Sequence, residues 1–233
     1  MQTIETIKSA TAICGSLGKP SKMPGRSYGL PAASAEWVPE VCNDIGVPVP
    51  SSYGCPVGGI LARLKGTTCS SCYATRANYR YGSVQKAQAK RASGLFNPAW
   101  VDAMVFMIQK RVDPADAFFR WHDSGDLLGM WHLQKIIDVA NATPWVQHWI
   151  PTREAKVVSD YLAKSGPFPD NLTVRVSATK VDGRPGKFAQ TSTVHSTAPA
   201  IGATCPAPTQ GNECGDCRAC WSQDVANVSY HIH

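Results

Sequence analysis

Seven cysteines lie in two groups on either side of the central region of this 233-residue chain. The first group is Cys55, Cys69 and Cys72, and the second is Cys205, Cys214, Cys217 and Cys220. The last three cysteines form C-x2-C-x2-C, a spacing that bacterial ferredoxins combine with a more distant cysteine to hold an iron–sulfur cluster. Zinc sites more often take two cysteines from one loop and two from elsewhere. We therefore predict a [4Fe–4S] cluster, with zinc as the alternative metal.

Metal binding is a better explanation of the cysteines than a disulfide framework. Their number is odd, and the first residues lack the pattern of a secretory signal. No stretch approaches the roughly 20 apolar residues that span a bilayer. We therefore expect a cytoplasmic chain without membrane contact, in which thiolates stay reduced. Cys14 and Cys42 stand apart from both groups, and we expect them to be buried thiols.

Two arrangements of the metal ligands are consistent with the spacing. In one, Cys214, Cys217 and Cys220 share a single cluster with Cys69, Cys72 or Cys205. In the other, each group of cysteines forms its own site, so that Cys55 is also a ligand. The long gap between Cys55 and Cys69 slightly favours a single cluster.

Polar residues follow three predicted strands. His122, Asp123, Ser124, Gly125 and Asp126 follow the first, Pro151, Thr152 and Arg153 the second, and Lys180 the third. Because ligands bind at the carboxyl ends of parallel strands, we expect these residues to share one rim. Helix capping is the alternative explanation, and we favour it for Thr152.

The residue types at this rim predict a division of roles. His122 would exchange protons, and Asp123 and Asp126 would orient a polar ligand. A cofactor would contact Ser124, Gly125, Asp126 and Lys180, with Ser124 and Arg153 also among the catalytic residues. Arg153 and Lys180 would hold an anionic group. The predicted function is therefore a redox-active or catalytic iron–sulfur protein that uses a small-molecule substrate or an electron donor.

The elements that carry these residues alternate between strand and helix. Strands are predicted at 117–122, 145–150 and 172–179, and helices at 74–94, 98–112, 129–143 and 153–166. This order predicts parallel pairing in an α/β fold, as a partial or irregular barrel-like sheet. We divide the chain into a loop-rich segment with the first cysteines (1–73), an α/β core (74–190) and a cysteine-rich metal-binding segment (191–233), all within one globular domain.

A basic segment precedes the core. Arg76, Arg80 and Lys90 lie in the first predicted helix, with Tyr79 and Tyr81 between them. Cations can neutralise phosphates while aromatic rings stack on bases. The alternative function is therefore a non-catalytic module that binds nucleic acid or a host protein, with a structural cluster or zinc. The net charge of +6 is compatible with either function.

The cysteine count resembles that of radical S-adenosylmethionine enzymes with an auxiliary cluster. That resemblance implies three thiolates that leave one iron open for S-adenosylmethionine, and four that complete a second cluster. The Ser-Gly-Asp at 124–126 is similar to the turn that those enzymes place after their second strand. The first three cysteines are spaced x13 and x2, where that family has x3 and x2.

A second resemblance covers most of the chain. It rests on CSSCYA at 69–74, FRWHDSGD at 119–126, PTR at 151–153, Cys205-Pro206, and the C-x2-C-x2-C-W that ends at Trp221. In this order the motifs resemble the gene product eighty-eight family of actinobacteriophages. The resemblance implies a phage-encoded protein in the cytoplasm of the infected host cell, with metal-binding cysteines. It implies no particular reaction.

Overall fold

A computed structural model describes residues 4–232 as one α/β fold. In chain order its helices and strands are α1 (Ile7–Cys14), β1 (Arg26–Tyr28), α2 (Val38–Asp44), α3 (Pro56–Leu61), α4 (Gly82–Gly94), α5 (Trp100–Arg111), β2 (Phe118–Trp121), α6 (Met130–Ala142), β3 (Gln147–Thr152), α7 (Ala155–Ser165), β4 (Leu172–Val181), β5 (Thr191–His195), β6 (Ala203–Thr204) and β7 (Asn227–His231). The seven strands form one sheet in the order β1-β2-β3-β4-β5-β7-β6. Every neighbouring pair is parallel. The predicted α/β fold with a partial, unclosed barrel-like sheet is confirmed.

Helices connect the first four strands, whereas the later connections contain no α-helix. α6 joins β2 to β3 and α7 joins β3 to β4, as the alternating pattern predicts. Beyond β4 the chain reaches β5, β6 and β7 through irregular segments and short 3-10 turns. These three strands are rich in Thr, Ser and Asn, so they lack the apolar pattern that identifies a strand in a sequence.

Two expectations about the first third of the chain need correction. The residues before 60 contain three short helices in addition to β1. The first of these begins with a capping box, in which Thr6 and Ser9 bond to each other's backbone N–H groups. The basic helix begins at Gly82, whereas a start at 74 was predicted. Residues 73–80 form two 3-10 turns, and Ala77 has a φ of 45°, a backbone angle that a helix cannot include.

The two faces of the sheet have different coverings. On one face, strand residues such as Phe119, Trp121 and Val174 pack with α1, α5, α6 and α7 in the main apolar core. Alternate residues of the same strands point to the other face, where Arg120 lies on β2 and Arg175 on β4. The sheet is therefore apolar towards the helices and largely polar on its second face.

A segment comprising residues 205–226, here called the cysteine tail, covers part of this second face. Trp221 packs edge-on against Trp149, with 5.1 Å between the ring centroids, and its indole N–H donates to the carbonyl of Phe119. Arg175 is fully buried and donates five hydrogen bonds to backbone carbonyls. Four of these carbonyls belong to the cysteine tail, at residues 219, 220, 222 and 225. Arg175 therefore anchors the tail on the sheet.

Candidate metal and ligand site

A cavity of about 620 Å³ opens at the carboxyl ends of the central strands. Its walls come from the segment before α4, the residues that follow β2, β3 and β4, and the ends of β5 and β7. The cysteine, aromatic and ionisable side chains that line it include Cys55, Cys69, Cys72, Tyr73, Tyr79, Arg120, His122, Asp123, Asp126, Trp149, Arg153 and Tyr230. This volume is in the range of small-molecule sites, and its position is where parallel sheets bind ligands.

The first three cysteines meet at the wall of this cavity. Cys55 precedes α3, and Cys69 and Cys72 lie in and directly after the next 3-10 turn. The sulfur atoms of Cys55 and Cys69 lie 3.6 Å and 3.7 Å from the point where a side chain at Gly58 would begin. Because Gly58 has no side chain, the space between these two sulfur atoms stays open.

Burial affects the pKa of two thiols of this trio, Cys55 and Cys72. Burial raises the pKa of Cys55, and Asp126, Cys72 and Cys69 raise it further. Burial also raises the pKa of Cys72, against a lowering effect of Arg153. The raised pKa values favour the neutral thiols of Cys55 and Cys72, and metal binding would displace their protons.

The four cysteines of the tail form a second group. Burial raises the pKa of Cys214, and the neighbouring Cys205 and Cys217 contribute. Burial likewise raises the pKa of Cys220 to about 11, with Cys205 again contributing. The sulfur of Cys220 lies 3.1 Å from the hydroxyl of Tyr230.

The cysteines are thus divided into two groups, one from each part of the chain. The trio lines the cavity, and within residues 4–232 the four tail cysteines are not part of its wall. This division is compatible with the two-site arrangement, and also with the single cluster that the sequence slightly favoured, in the form that joins Cys214, Cys217 and Cys220 to Cys205. All nine cysteines are free thiols, and Cys14 and Cys42 are buried as expected.

The described chain contains no group of three or more His, Cys, Asp or Glu side chains arranged to hold a metal ion. A tetrahedral zinc ion needs sulfur atoms roughly 4 Å apart, since each Zn–S bond is about 2.3 Å. In an iron–sulfur cluster the thiolates bind separate iron atoms, so the cluster itself lies between them.

The turn at 122–126 packs tightly against its neighbours. Ser124 donates to the carbonyl of Leu30 and accepts from Gln88 of α4, so its hydroxyl is engaged within the protein. Gly125 has a φ of 80°, and a side chain there would lie 2.6 Å from the Cβ of Leu30. Ser124 and Gly125 therefore shape the turn and border the cavity mainly with their backbone.

Asp123 joins the turn to the cysteine trio. Its carboxylate accepts from the hydroxyl of Ser27 at 2.7 Å. Its carbonyl accepts from Tyr73 at 2.5 Å and from Tyr79 at 3.4 Å. Because Tyr73 directly follows Cys72, these bonds fix the trio against the end of β2.

Asp126 is buried and connects β2 to β3. Its carboxylate accepts from the hydroxyl of Thr152 at 2.6 Å and from the backbone N–H groups of Leu127 and Arg153. Burial raises its pKa, while these hydrogen bonds oppose the shift. Thr152 also accepts from the backbone N–H of Glu154, but Glu154 is itself the N-cap residue of α7, so the predicted capping of this helix by Thr152 is wrong.

The two predicted anion-binding residues differ in position. Arg153 lines the cavity, and its guanidinium donates to the carbonyl of Ala178. Lys180 is exposed and lies outside the described wall of the cavity.

His122 has the features of a strained functional residue. Its φ of 55° is unusual for a residue with a side chain, and such conformations concentrate at active sites. The imidazole is buried at the cavity wall, and neither ring nitrogen has a hydrogen-bond partner in the described chain. Burial and the nearby Arg120 lower its pKa to about 3, so the ring is neutral.

Three polar residues of the wall were not predicted from the sequence, namely Arg120, Tyr73 and Tyr230. Arg120 lies over the Trp149 ring, with 4.8 Å from the guanidinium carbon to the ring centroid. It also lowers the pKa of both Cys214 and Cys220. Arg120 therefore stands between the cavity and the cysteine tail. An arginine within the aromatic run Phe118–Trp121 was the available signal.

The basic residues lie beside the cavity. Arg76 and Arg80 are exposed in the 3-10 turns after Cys72, and Lys90 is half-buried in α4. Tyr73 is 53% exposed and Tyr81 is 61% exposed, so aromatic rings accompany the cations at the surface.

Together, the fold and the site define an α/β protein with a parallel sheet, a cavity lined by three cysteines and a second cysteine group on one face of the sheet. The family described as Gene product 88 matches residues 4–223, and the chain belongs to this family. The resemblance found in the sequence is confirmed for this bacteriophage family. Neither a curated protein nor a solved structure matches the chain. No helix within residues 4–232 is both long and apolar enough to cross a membrane.

Proposed function

We propose that this protein is an iron–sulfur enzyme that acts on a small molecule bound in the cavity. Cys55, Cys69 and Cys72 would hold a [4Fe–4S] cluster there. The observation that carries the proposal is the convergence of these three thiols, from a loose x13 and x2 spacing, at the carboxyl edge of a parallel sheet.

The donor set fits such a cluster. Thiolates are the protein ligands of iron–sulfur clusters, and the missing side chain at Gly58 leaves room between two of the sulfur atoms. When bound, a cluster with three protein thiolates supplies an iron atom that is open to a ligand from the cavity. S-adenosylmethionine is the ligand that we propose for this position.

The surrounding residues would then bind and orient the substrate. His122 is neutral and has unpartnered ring nitrogens, so it can accept a hydrogen bond from a group in the cavity, whereas its pKa of about 3 disfavours the uptake of a proton. Asp123 holds the wall together through Tyr73 and Tyr79. The hydrogen bonds of Asp126 support a positioning role, in which it fixes the ends of β2 and β3.

The four tail cysteines would hold a second cluster with four protein thiolates. This cluster would receive electrons from an electron donor. A site with four protein ligands has no open position, so it suits electron transfer or structure rather than substrate binding. The reducing cytoplasm of the infected host cell would keep both groups of thiols available for iron.

Metal analysis of single cysteine variants tests this proposal. Protein purified without oxygen should contain iron and sulfide in comparable amounts. Cys72→Ser should remove the iron bound by the trio, and Cys217→Ser should remove the iron bound by the tail cysteines. Cys42→Ser is the matched control, because Cys42 is buried away from both groups and should leave the iron unchanged. A protein that contains zinc and no iron would refute the proposal.

The proposed ligand has its own assay. Reduced protein incubated with S-adenosylmethionine should release methionine and 5′-deoxyadenosine, and Cys72→Ser should abolish the release. If an iron-loaded protein with intact trio releases neither product, S-adenosylmethionine is not its ligand.

A second candidate function, nucleic-acid binding, has a specific observation in its favour. Residues 45–101 contain seven Lys and Arg residues and no Asp or Glu, whereas the rest of the chain has 16 basic and 17 acidic residues. The net positive charge of the protein therefore arises entirely from the segment that contains the cysteine trio. Exposed tyrosines in this segment could stack on bases beside the phosphate-binding cations.

Salt-dependent binding tests this second candidate. We define the basic-segment variant as Arg76→Gln, Arg80→Gln and Lys86→Gln together, and the matched control as Lys8→Gln, Lys110→Gln and Lys164→Gln. Binding of a labelled single-stranded oligonucleotide should weaken in the first variant, and its dependence on log salt should become shallower by about 2, at roughly 0.7 per lost contact. Equal affinities of the two variants would exclude the basic segment as a nucleic-acid site.

A further inference from the structure

Arg120 is a cation on the cavity wall whose hydrogen-bonding capacity is largely unused. A guanidinium has five N–H groups. One terminal nitrogen of Arg120 donates to the sulfur of Met23 at 3.2 Å, and the other donates to the hydroxyl of Tyr73 at 3.2 Å. Its Nε is buried and has no partner among residues 4–232.

Arg175 shows what a satisfied arginine is like in this sheet. All five of its N–H groups donate to carbonyl oxygens, so its burial needs no further partner. Arg120, by contrast, has only a thioether and a phenol as acceptors, and both are neutral.

The described chain also gives Arg120 no carboxylate partner within ion-pair distance. The ion pair found within residues 4–232 joins Lys156 to Asp160 on the outer surface of α7. Arg120 is half-buried, and Tyr73, Asp123 and Tyr230 raise its pKa against the effect of burial, so the guanidinium is charged. An anion in the cavity would supply the acceptor that its buried Nε and its terminal nitrogens lack.

The surroundings of Arg120 indicate where this anion would lie. Arg120 and Tyr73 both line the cavity, so the terminal nitrogens of the guanidinium are at its wall. The indole of Trp149 supports the guanidinium from one side, with 4.8 Å between its carbon and the ring centroid. A guanidinium held in one plane suits the two oxygen atoms of a carboxylate or a phosphate.

We propose that Arg120 is the anion-binding residue of the cavity, and that the ligand carries a carboxylate or a phosphate which this guanidinium holds. This specifies the substrate class of the cavity used in the proposed function, but it does not depend on iron. It also reassigns the anion-holding role that the sequence gave to Arg153 and Lys180.

Anion-dependent stability tests the proposal. The melting temperature of the purified protein is measured against sodium phosphate and, separately, sodium acetate, with sodium chloride at equal ionic strength as the reference. Wild-type protein should be stabilised by at least one of the two anions, and the anion that gives the larger shift identifies the ligand group. In Arg120→Gln the apparent affinity for that anion should fall about ten- to hundredfold, as expected for the loss of charge-assisted hydrogen bonds.

Three variants make the result specific. Arg184→Gln removes one exposed positive charge and should keep the response. The basic-segment variant should keep it too, because its cations are outside the cavity wall. Arg120→Lys retains the charge without the planar fork, so it should give an intermediate affinity and remains informative if Arg120→Gln does not fold.

Two results would overturn the inference. One is a wild-type protein that responds to neither anion. The other is an unchanged anion response in Arg120→Gln. If this variant also loses iron, the guanidinium stabilises the cysteine tail and does not bind the anion. Iron analysis is separate from this readout, so a protein without iron that still binds phosphate through Arg120 would refute only the proposed function.

Discussion

Replacing Arg175 by Met should release the cysteine tail while leaving the cavity in place. The five hydrogen bonds of this buried side chain connect β4 to the tail carbonyls and to the carbonyl of Thr191. Each bond to a charged donor contributes about 1.5–3 kcal/mol. Some of the freed carbonyls would reach water once the tail loosens, so we expect a net loss of about 3–5 kcal/mol, as for about two acceptors left unsatisfied at about 1–3 kcal/mol each.

This loss is large compared with the usual free energy of unfolding, which is about 5–15 kcal/mol. For a domain of this size it corresponds to a decrease of about 6–20 °C in melting temperature. Denaturant titration gives the loss of free energy, and iron analysis shows which site is affected. Under the proposed function, Arg175→Met should lose the iron that Cys217→Ser also removes, and it should keep the iron that Cys72→Ser removes.

Arg184→Met is the control, because Arg184 is exposed. Its replacement should change the free energy of unfolding by no more than about 0.5 kcal/mol and should leave the iron content unchanged. An Arg175→Met protein with unchanged stability and full iron content would show that the tail is held by other contacts, such as Trp221. Loss of iron from both sites in equal proportion would contradict the separation of the two cysteine groups.

Two further predictions concern stability. Gly25→Ala should cost about 3 kcal/mol or more, because the added Cβ would lie 1.7 Å from the carbonyl oxygen of Phe118, whereas Gly46→Ala has a similar φ of 67° with no atom within 4 Å and should cost about 1–2 kcal/mol. Comparable losses for the two alanines in denaturant titrations would argue against this clash. Burial lowers the pKa of His148 to about 3, so the folded state resists protonation and its free energy of unfolding should fall as pH decreases from about 6.5 towards 3. His148→Phe should make that decrease smaller, and identical pH profiles would refute the assignment.

The central part of the fold could be predicted from the sequence because its signals are local. Between residues 117 and 179 the apolar residues follow strand and helix periods, and turn residues separate the elements. Parallel strands must share one carboxyl edge, so the turn at 122–126 and Arg153 could be assigned to the same site.

Other parts of the fold depend on distant residues and gave no local signal. The strands β5 and β7 hold buried Ser, Thr and Asn residues that bond to one another across the sheet, as Thr193 does with Ser229 at 3.1 Å. In the sequence these residues have the composition of a loop. The prolines between residues 20 and 56 similarly obscured α2 and α3, which are short helices.

The site was partly hidden for the same reason. The neighbours of Arg120 are Met23, Tyr73, Trp149 and Tyr230, which are separated along the chain and brought together by the sheet. Its environment follows from tertiary structure, so its role could not be predicted from the strand that contains it. The two cysteine groups are visible in the sequence, but that the first group lines the cavity and the tail group does not depends on where the tail packs.

The position of β7 has a consequence for biosynthesis. β7 follows β6 in the chain, yet in the described sheet it lies between β5 and β6 and pairs with both. While the ribosome still holds residues 227–231, β5 lacks one neighbour and β6 has none. All seven grouped cysteines have already been translated at that stage, but the tail is not yet fixed on a finished sheet. Under the proposed function, iron delivery to the tail should therefore follow translation of β7, whereas the trio, which needs only earlier residues, could be loaded on the nascent chain.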